Sequence, residues 1–331
     1  MVRSEIAKPK RRRRLLIALG VVGALLVAGV FVLRTPSPVG HWNSAAGYED
    51  YLAKYGRSMQ DMPKPAATLD VRTDYGLVRV YRFAGSPKNL RPLVLLPGTM
   101  SGTPVWADNM PSLLKLGDVY TLDLLGEPGM SIQNRPITNA DDKAAWLDQT
   151  LAALPDKQFN VLGLSIGGWT ATNLAVRRPD RIATLSLLEP GLVFGNIPAE
   201  TAIRALPASV KWLPRSWRDS FNSYTAGGAP VEHVPVADMI ESAMKNYTIR
   251  QPQPGRITEQ QLADLKMPVL AIIAGKSVMH DPIKAREVAE RVLKNKTVKF
   301  YPDASHAING EYPDQLAADL QAFLTTHGRT S

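Results

Sequence analysis

The 331-residue chain carries 39 Lys and Arg against 30 Asp and Glu, with 45% hydrophobic residues and no cysteine. That balance excludes wholesale disorder and a multi-span membrane protein, and the missing cysteines exclude disulfides, thiol nucleophiles, Cys-ligated zinc and iron–sulfur clusters. The net charge of +9 is local: residues 1–14 hold seven basic residues against Glu5, and the body has no basic stripe interleaved with aromatics that would point to nucleic acid.

Directly after the basic run, Leu15 to Leu33 is a stretch of nineteen uncharged, overwhelmingly apolar residues between Arg14 and Arg34. As a helix it spans roughly 28 Å, close to the ~30 Å hydrocarbon core of a bilayer. It is longer than the apolar region of a cleaved signal, and Leu33-Arg34-Thr35-Pro36 offers no small-x-small cleavage site. The segment is therefore expected to be a transmembrane anchor, 15–33, behind a basic cytoplasmic tail, 1–14, because positive flanks stay cytoplasmic. This reading makes the chain a single-pass protein of the cell membrane, with its body extracytoplasmic and membrane lipid as a partner of helix and tail. Secretion after signal cleavage is the alternative. Gly20, Ala24 and Ala28 recur at small-residue spacing, a pattern too common in such spans to fix an oligomeric state. Residues 34–68 read as a spacer and N-terminal extension.

From residue 69 onward, short β-rich runs alternate with helical patterns, the signature of an α/β fold with a mostly parallel sheet. Eight strands are predicted: Leu69–Thr73, Leu77–Phe83, Leu93–Leu96, Val119–Leu124, Phe159–Leu164, Ile182–Leu188, Val269–Ala274 and Thr297–Tyr301. Helices are predicted near 140–154, 166–178, 282–294 and 313–326. About eighty residues between Leu188 and Pro268 break the rhythm. A structureless loop of that length is improbable, so 191–265 is expected to be a folded lid over the carboxyl ends of the strands, where α/β proteins bind ligands. The core is then 69–190 together with 266–331.

Gly163-Leu164-Ser165-Ile166-Gly167-Gly168 lies between the fifth predicted strand and a helix. As bare text G-x-S-x-G is weak. In a strand–turn–helix context it describes a sharp elbow that lifts a serine hydroxyl out of the packed interior. A phosphate-cradling loop would carry more glycines and usually a lysine. A serine hydroxyl needs a base within hydrogen-bond reach. Of the five histidines, His41 sits near the spacer, His233 in the lid, His280 beside Asp281 and His327 in the tail. His306 follows the eighth strand and precedes the final helix, where the loop returns to the sheet's carboxyl edge. Ser165 as nucleophile and His306 as base are the candidates.

With those residues in place, the chain from about 69 to 326 resembles the α/β-hydrolase-fold serine hydrolases, and in particular bacterial carboxylesterases of the naproxen-esterase type. The resemblance is carried by Leu95-Leu96-Pro97-Gly98-Thr99, by Asp123 to Ser131 (DLLGEPGMS), by Gly163 to Gly168 and by Ser305-His306-Ala307. It implies an α/β-hydrolase fold, small ester substrates, an acyl-enzyme intermediate, and neither metal nor organic cofactor, while the apolar aromatics of the lid suggest a hydrophobic acyl or alcohol group. It also implies an oxyanion hole from the backbone N–H groups of Thr99 and Ile166, although Pro97-Gly98 stands where the family commonly has His-Gly. The acid is displaced: Gly275 to Pro282 has no carboxylate at the family's usual place. Asp281, three residues later, is the first choice for the acid, and Glu189, ending the sixth strand, is the alternative. The same triad serves lactonases, thioesterases, C–C hydrolases and perhydrolases, and a non-catalytic ligand receptor on a vestigial hydrolase fold is the reading outside the enzyme class.

Overall fold

The computed structural model describes residues 37–86 and 89–329, with Gly20, Val22 and Gly23 as isolated positions. The predicted basic tail 1–14 and anchor 15–33 otherwise lie outside the described residues. Among those described, no helix is long and apolar enough to cross a membrane. Val39–Ser331 forms one compact unit.

Eight strands make the main sheet: β1 Ala67–Thr73, β2 Gly76–Phe83, β3 Leu93–Leu96, β4 Val119–Leu122, β5 Phe159–Leu164, β6 Ile182–Leu188, β7 Val269–Ala274 and β8 Lys296–Tyr301. Their spatial order is β8-β7-β6-β5-β3-β4-β2-β1, and a two-residue strand, Ile132–Gln133, adds to β2. All pairs from β8 to β4 are parallel, while β2 runs antiparallel to both β4 and β1. Every residue of β3, β5 and β7 is buried, as expected of central parallel strands covered on both faces. The fourth strand stops at Leu122 rather than Leu124. There the Asp123 carboxylate accepts the Thr103 and Met130 N–H groups at 2.8 Å each and turns the chain.

The principal helices are α1 Ala45–Ser58, α2 Ala140–Ala152, α3 Ile166–Arg177, α4 Ala199–Ser209, α5 Arg215–Thr225, α6 Pro235–Asn246, α7 Pro282–Val292 and α8 Pro313–His327. On one face of the sheet, α2, α3 and α7 bring Leu147, Leu151, Trp169, Leu174, Ala285 and Ala289 against Val94, Val161 and Ile273. On the other, α8 and the turns of 103–113 bring Trp106, Met110, Leu316, Leu320 and Phe323 against Leu95, Leu162 and Leu270. Between β6 and β7 the chain leaves the sheet through α4, α5 and α6.

One element was not expected. The stretch read as spacer and extension contains α1, a 14-residue helix whose Ser44 side chain caps it by accepting the Gly47 N–H. Its Tyr51 and Tyr55 pack with Met239 and Ala243 of α6 in a small core of their own. Just before it, His41–Trp42 pairs antiparallel with Tyr247–Thr248, so the start of the unit is stitched to the segment that follows α6.

Candidate active site

The site is built where β5 gives way to α3. Ser165 holds φ 52° between them, a conformation non-glycine residues adopt only when the surroundings enforce it. The enforcement is visible: a Cβ at Gly163 would lie 2.5 Å from the Gly167 carbonyl oxygen, and one at Gly167 would lie 2.1 Å from that of Leu96. Only glycines let β5, α3 and the end of β3 approach this closely. The elbow is further pinned by the Ser165 N–H donating to the Leu188 carbonyl at 3.0 Å.

His306 reaches the serine from the turn after β8. Its Nε2 stands 2.9 Å from Ser165 Oγ, and its Nδ1 stands 3.3 Å from Glu189 Oε2. Glu311 holds this turn by accepting the Ser305 N–H at 2.8 Å and the Ser305 hydroxyl at 2.5 Å. The His306 N–H donates to the carbonyl of Thr225, at the end of α5, at 3.2 Å.

Of the two carboxylates weighed for the acid, the structure brings Glu189 and not Asp281 to the imidazole. Asp281 is half exposed and caps α7, accepting the Lys284 N–H at 3.1 Å. Its N-cap geometry turns the side chain along the helix rather than toward the sheet. Glu189 is fully buried beyond the end of β6, at φ 46°, and its Oε1 accepts the Ala274 N–H at 2.6 Å. Burial alone would push this carboxyl up, but the imidazoles of His280 and His306 outweigh it and hold the group at about 2. Glu189 therefore stays ionised in the interior.

Ile166 is the first residue of α3, so its N–H has no intrahelical acceptor. Thr99 lies across from it on the loop after β3, and both residues line the cavity beside Ser165. Glu127 holds that loop: its Oε2 accepts the Thr99 hydroxyl and the Met100 N–H, each at 3.1 Å, with Met100 at φ 56°. Burial pushes the Glu127 carboxyl above its ordinary value despite those two donors. Glu127 stands in the DLLGEPGMS segment, yet its contact with the loop, 27 residues away, is not a local pattern that spacing reveals.

Two cavities meet at Ser165, sharing Thr99 and Met279. One, about 230 Å³, is lined chiefly by Met100, Val105, Phe221, Ile240 and Met244. The other, about 190 Å³, mixes Leu192, Ile197 and Ile249 with Glu127, Lys143 and Gln251. Lys143 is buried, donates to the Pro252 carbonyl at 3.0 Å and lies 5.3 Å over the Trp169 ring. Among the described residues, no group of His, Asp or Glu side chains is arranged to hold a metal ion.

The sequence model of the alpha/beta hydrolase family matches residues 93–319. Two Bacillus subtilis proteins are similar over most of their length. A carboxylesterase named nap, itself uncharacterised, is 23% identical over 83% of this chain and 92% of its own. The carboxylesterase YbfK is 22% identical over 84% and 94%. Among solved structures, the B. subtilis naproxen esterase superposes with a TM-score of 0.77 at 21% identity, covering 85% of this chain and 99% of that one.

Proposed function

The chain belongs to the alpha/beta hydrolase family, and from that premise we propose that it is a serine carboxylesterase working through an acyl-enzyme. Ser165 Oγ attacks the ester carbonyl carbon while its proton passes to His306 Nε2. The tetrahedral oxyanion is held by the N–H groups of Thr99 and Ile166, aimed at charge that develops only in the transition state. As the C–O bond to the alcohol breaks, the imidazolium returns the proton to the leaving oxygen. Water then repeats the cycle on the acyl-serine, with His306 again as base. Glu189, buried and ionised, holds the ring by its Nδ1–H and stabilises the imidazolium.

The reading rests on one observation: a hydroxyl on a strained elbow lies 2.9 Å from an imidazole whose other nitrogen faces a buried carboxylate. The similarity to two carboxylesterases supports the ester as substrate. The larger cavity, walled by methionine, phenylalanine and branched aliphatic side chains, supports an apolar arm on it. The apolar run 15–33 and the basic residues before it support a membrane-anchored enzyme with its catalytic body outside the cytoplasm.

A fluorophosphonate probe tests the nucleophile. The wild-type chain should be labelled and should hydrolyse p-nitrophenyl butyrate, and Ser165→Ala should abolish both. Labelling that survives Ser165→Ala would remove the assignment.

A further inference from the structure

One ionisable side chain next to this site has no part in the scheme above. His280 is sealed in the interior, 1% exposed, and neither of its ring nitrogens has a hydrogen-bond partner. A buried polar ring left unpaired is costly and calls for an explanation. Its surroundings supply one. Its Nε2 lies 3.4 Å from Oε1 of Glu189, and the two side chains are both wholly shielded from solvent. That oxygen is the one turned away from His306, since Oε2 faces His306 Nδ1.

The carboxylate is thus flanked by two imidazoles. His306 approaches from the turn after β8, and His280 approaches from the loop between β7 and α7. These are the ionisable groups that face Glu189. The Ala274 N–H is its one backbone donor, and Asp281, next to His280, is turned outward to Lys284. The turn after β6 packs against this side chain as well: a Cβ at Gly195 would lie 3.0 Å from His280 Cβ. The 3.4 Å approach is out of hydrogen-bond alignment, and contacts of this kind are commonly long or poorly aligned in a free enzyme and tighten in the reacting complex.

We propose that His280 is a positioning residue: its Nε2–H donates to Glu189 Oε1, fixing the carboxylate at both oxygens so that Oε2 is presented to His306. The inference rests on the serine-hydrolase reading. The chemistry is specific. Oε1 already takes one N–H, from Ala274, and an anionic oxygen accommodates a second. With both donors in place the carboxyl plane cannot swing, and the ring of His306 keeps the tautomer that leaves Nε2 free for the serine proton. The His280 N–H also draws charge away from the carboxylate. Its removal leaves a more negative Glu189 facing His306, which favours the imidazolium, so the acid limb of the kcat/KM profile moves to higher pH.

The test compares His280→Leu with His280→Gln, whose amide N–H stands near the place of Nε2, in the full chain on p-nitrophenyl butyrate. His280→Leu should lower kcat by ~10–100-fold, as loss of outer supports of a functional group does, with little change in KM and an acid limb shifted upward. His280→Gln should recover most of kcat and the wild-type limb. A His280→Leu enzyme with wild-type kcat and pH profile overturns the proposal, as does a His280→Gln enzyme as impaired as the leucine variant. Nitrogen-15 NMR of histidine-labelled wild-type protein asks the same question without a substitution: Nε2 of His280 should carry a proton, and an unprotonated Nε2 overturns the assignment. Ser165→Ala separates the two readings. Turnover that persists in it defeats the hydrolase mechanism itself, whereas Ser165-dependent turnover indifferent to His280 defeats this inference alone.

Discussion

The carboxyl of Glu189 is a group that burial should neutralise and that two imidazoles keep charged. Its linkage to stability has a definite sign. With the folded value near 2 and the ordinary value at 4.5, the stabilisation is complete above the ordinary value and is lost as pH falls from there toward 2. The melting temperature of the wild type should therefore drop more steeply between pH 4.5 and 2 than that of Glu189→Gln, which lacks this proton uptake. Parallel curves would show that the carboxylate is not held down. The proposed mechanism makes the same residue a determinant of rate. By analogy with removal of a triad acid, Glu189→Gln should cost about 10⁴ in kcat, while Asp281→Ala should leave kcat unchanged and cost about 0.5–2 kcal/mol of stability as a lost helix cap. Steady-state kinetics beside urea denaturation distinguishes the two carboxylates, and a large kcat loss in Asp281→Ala would return the acid to that position. Strain marks the same place. Among the described residues, the non-glycine positions with positive φ are Met100, Ser165, Glu189 and Leu192, and each is at the serine, at the carboxylate that faces His306 or on a wall of the two cavities.

At the scale of elements, α6 has two jobs. Met239 and Ala243 face Tyr51 and Tyr55 of α1, while Ile240 and Met244 line the apolar cavity. Truncating Met239, which is fully buried, should cost about 2–5 kcal/mol. Because the same helix walls the cavity, Met239→Ala should also raise KM for longer acyl chains more than it lowers kcat. An ester-length series with urea denaturation checks this, and an unchanged KM would show that the wall holds without the Met239 contact to α1. This pairing also shows where the sequence was readable. The strands β3, β5 and β7 are unbroken apolar runs because both faces are covered, so their positions follow from composition alone. The elbow and the turn at His306 follow from glycine spacing and chain order. The helix α1 was hidden because its buried face is Gly47, Tyr51, Tyr55 and Ser58, without an aliphatic residue, and its partner lies nearly two hundred residues away. The approach of Glu189 rather than Asp281 to the imidazole was hidden for a related reason. Glu189 and Asp281 both end or follow a strand near the sheet's carboxyl edge, and what separates them is a φ of 46° at one and a helix cap at the other. Neither local conformation is encoded in residue spacing.

The whole molecule poses a question of boundaries, because its charge and its chemistry lie in different parts of the chain. Seven basic residues and the apolar run precede residue 34, whereas everything that builds the site lies within Val39–Ser331. The unit's own beginning is not dispensable. Trp42 pairs with Tyr247 across the short antiparallel strands and packs against Tyr48, Tyr51 and Tyr247 with ring centroids 4.5–5.3 Å apart. A chain starting at Ser37 should therefore fold and keep kcat/KM on a soluble ester within about twofold of the full chain, as an independent domain does. A chain starting at Asn43 should melt lower, having lost the strand pair and the central ring of that cluster. The anchor reading predicts a second difference. The full chain should sediment with membranes, and the chain from Ser37 should remain in the supernatant. Salt separates the two ways the tail could hold: attraction of the arginines to anionic lipid is screened at 1 M ionic strength, where the Debye length is about 3 Å, whereas a spanning helix is not released. Full-length protein washed off by salt would reduce the segment to an electrostatic tether, and full-length protein found in the supernatant at low salt would remove the membrane from the account.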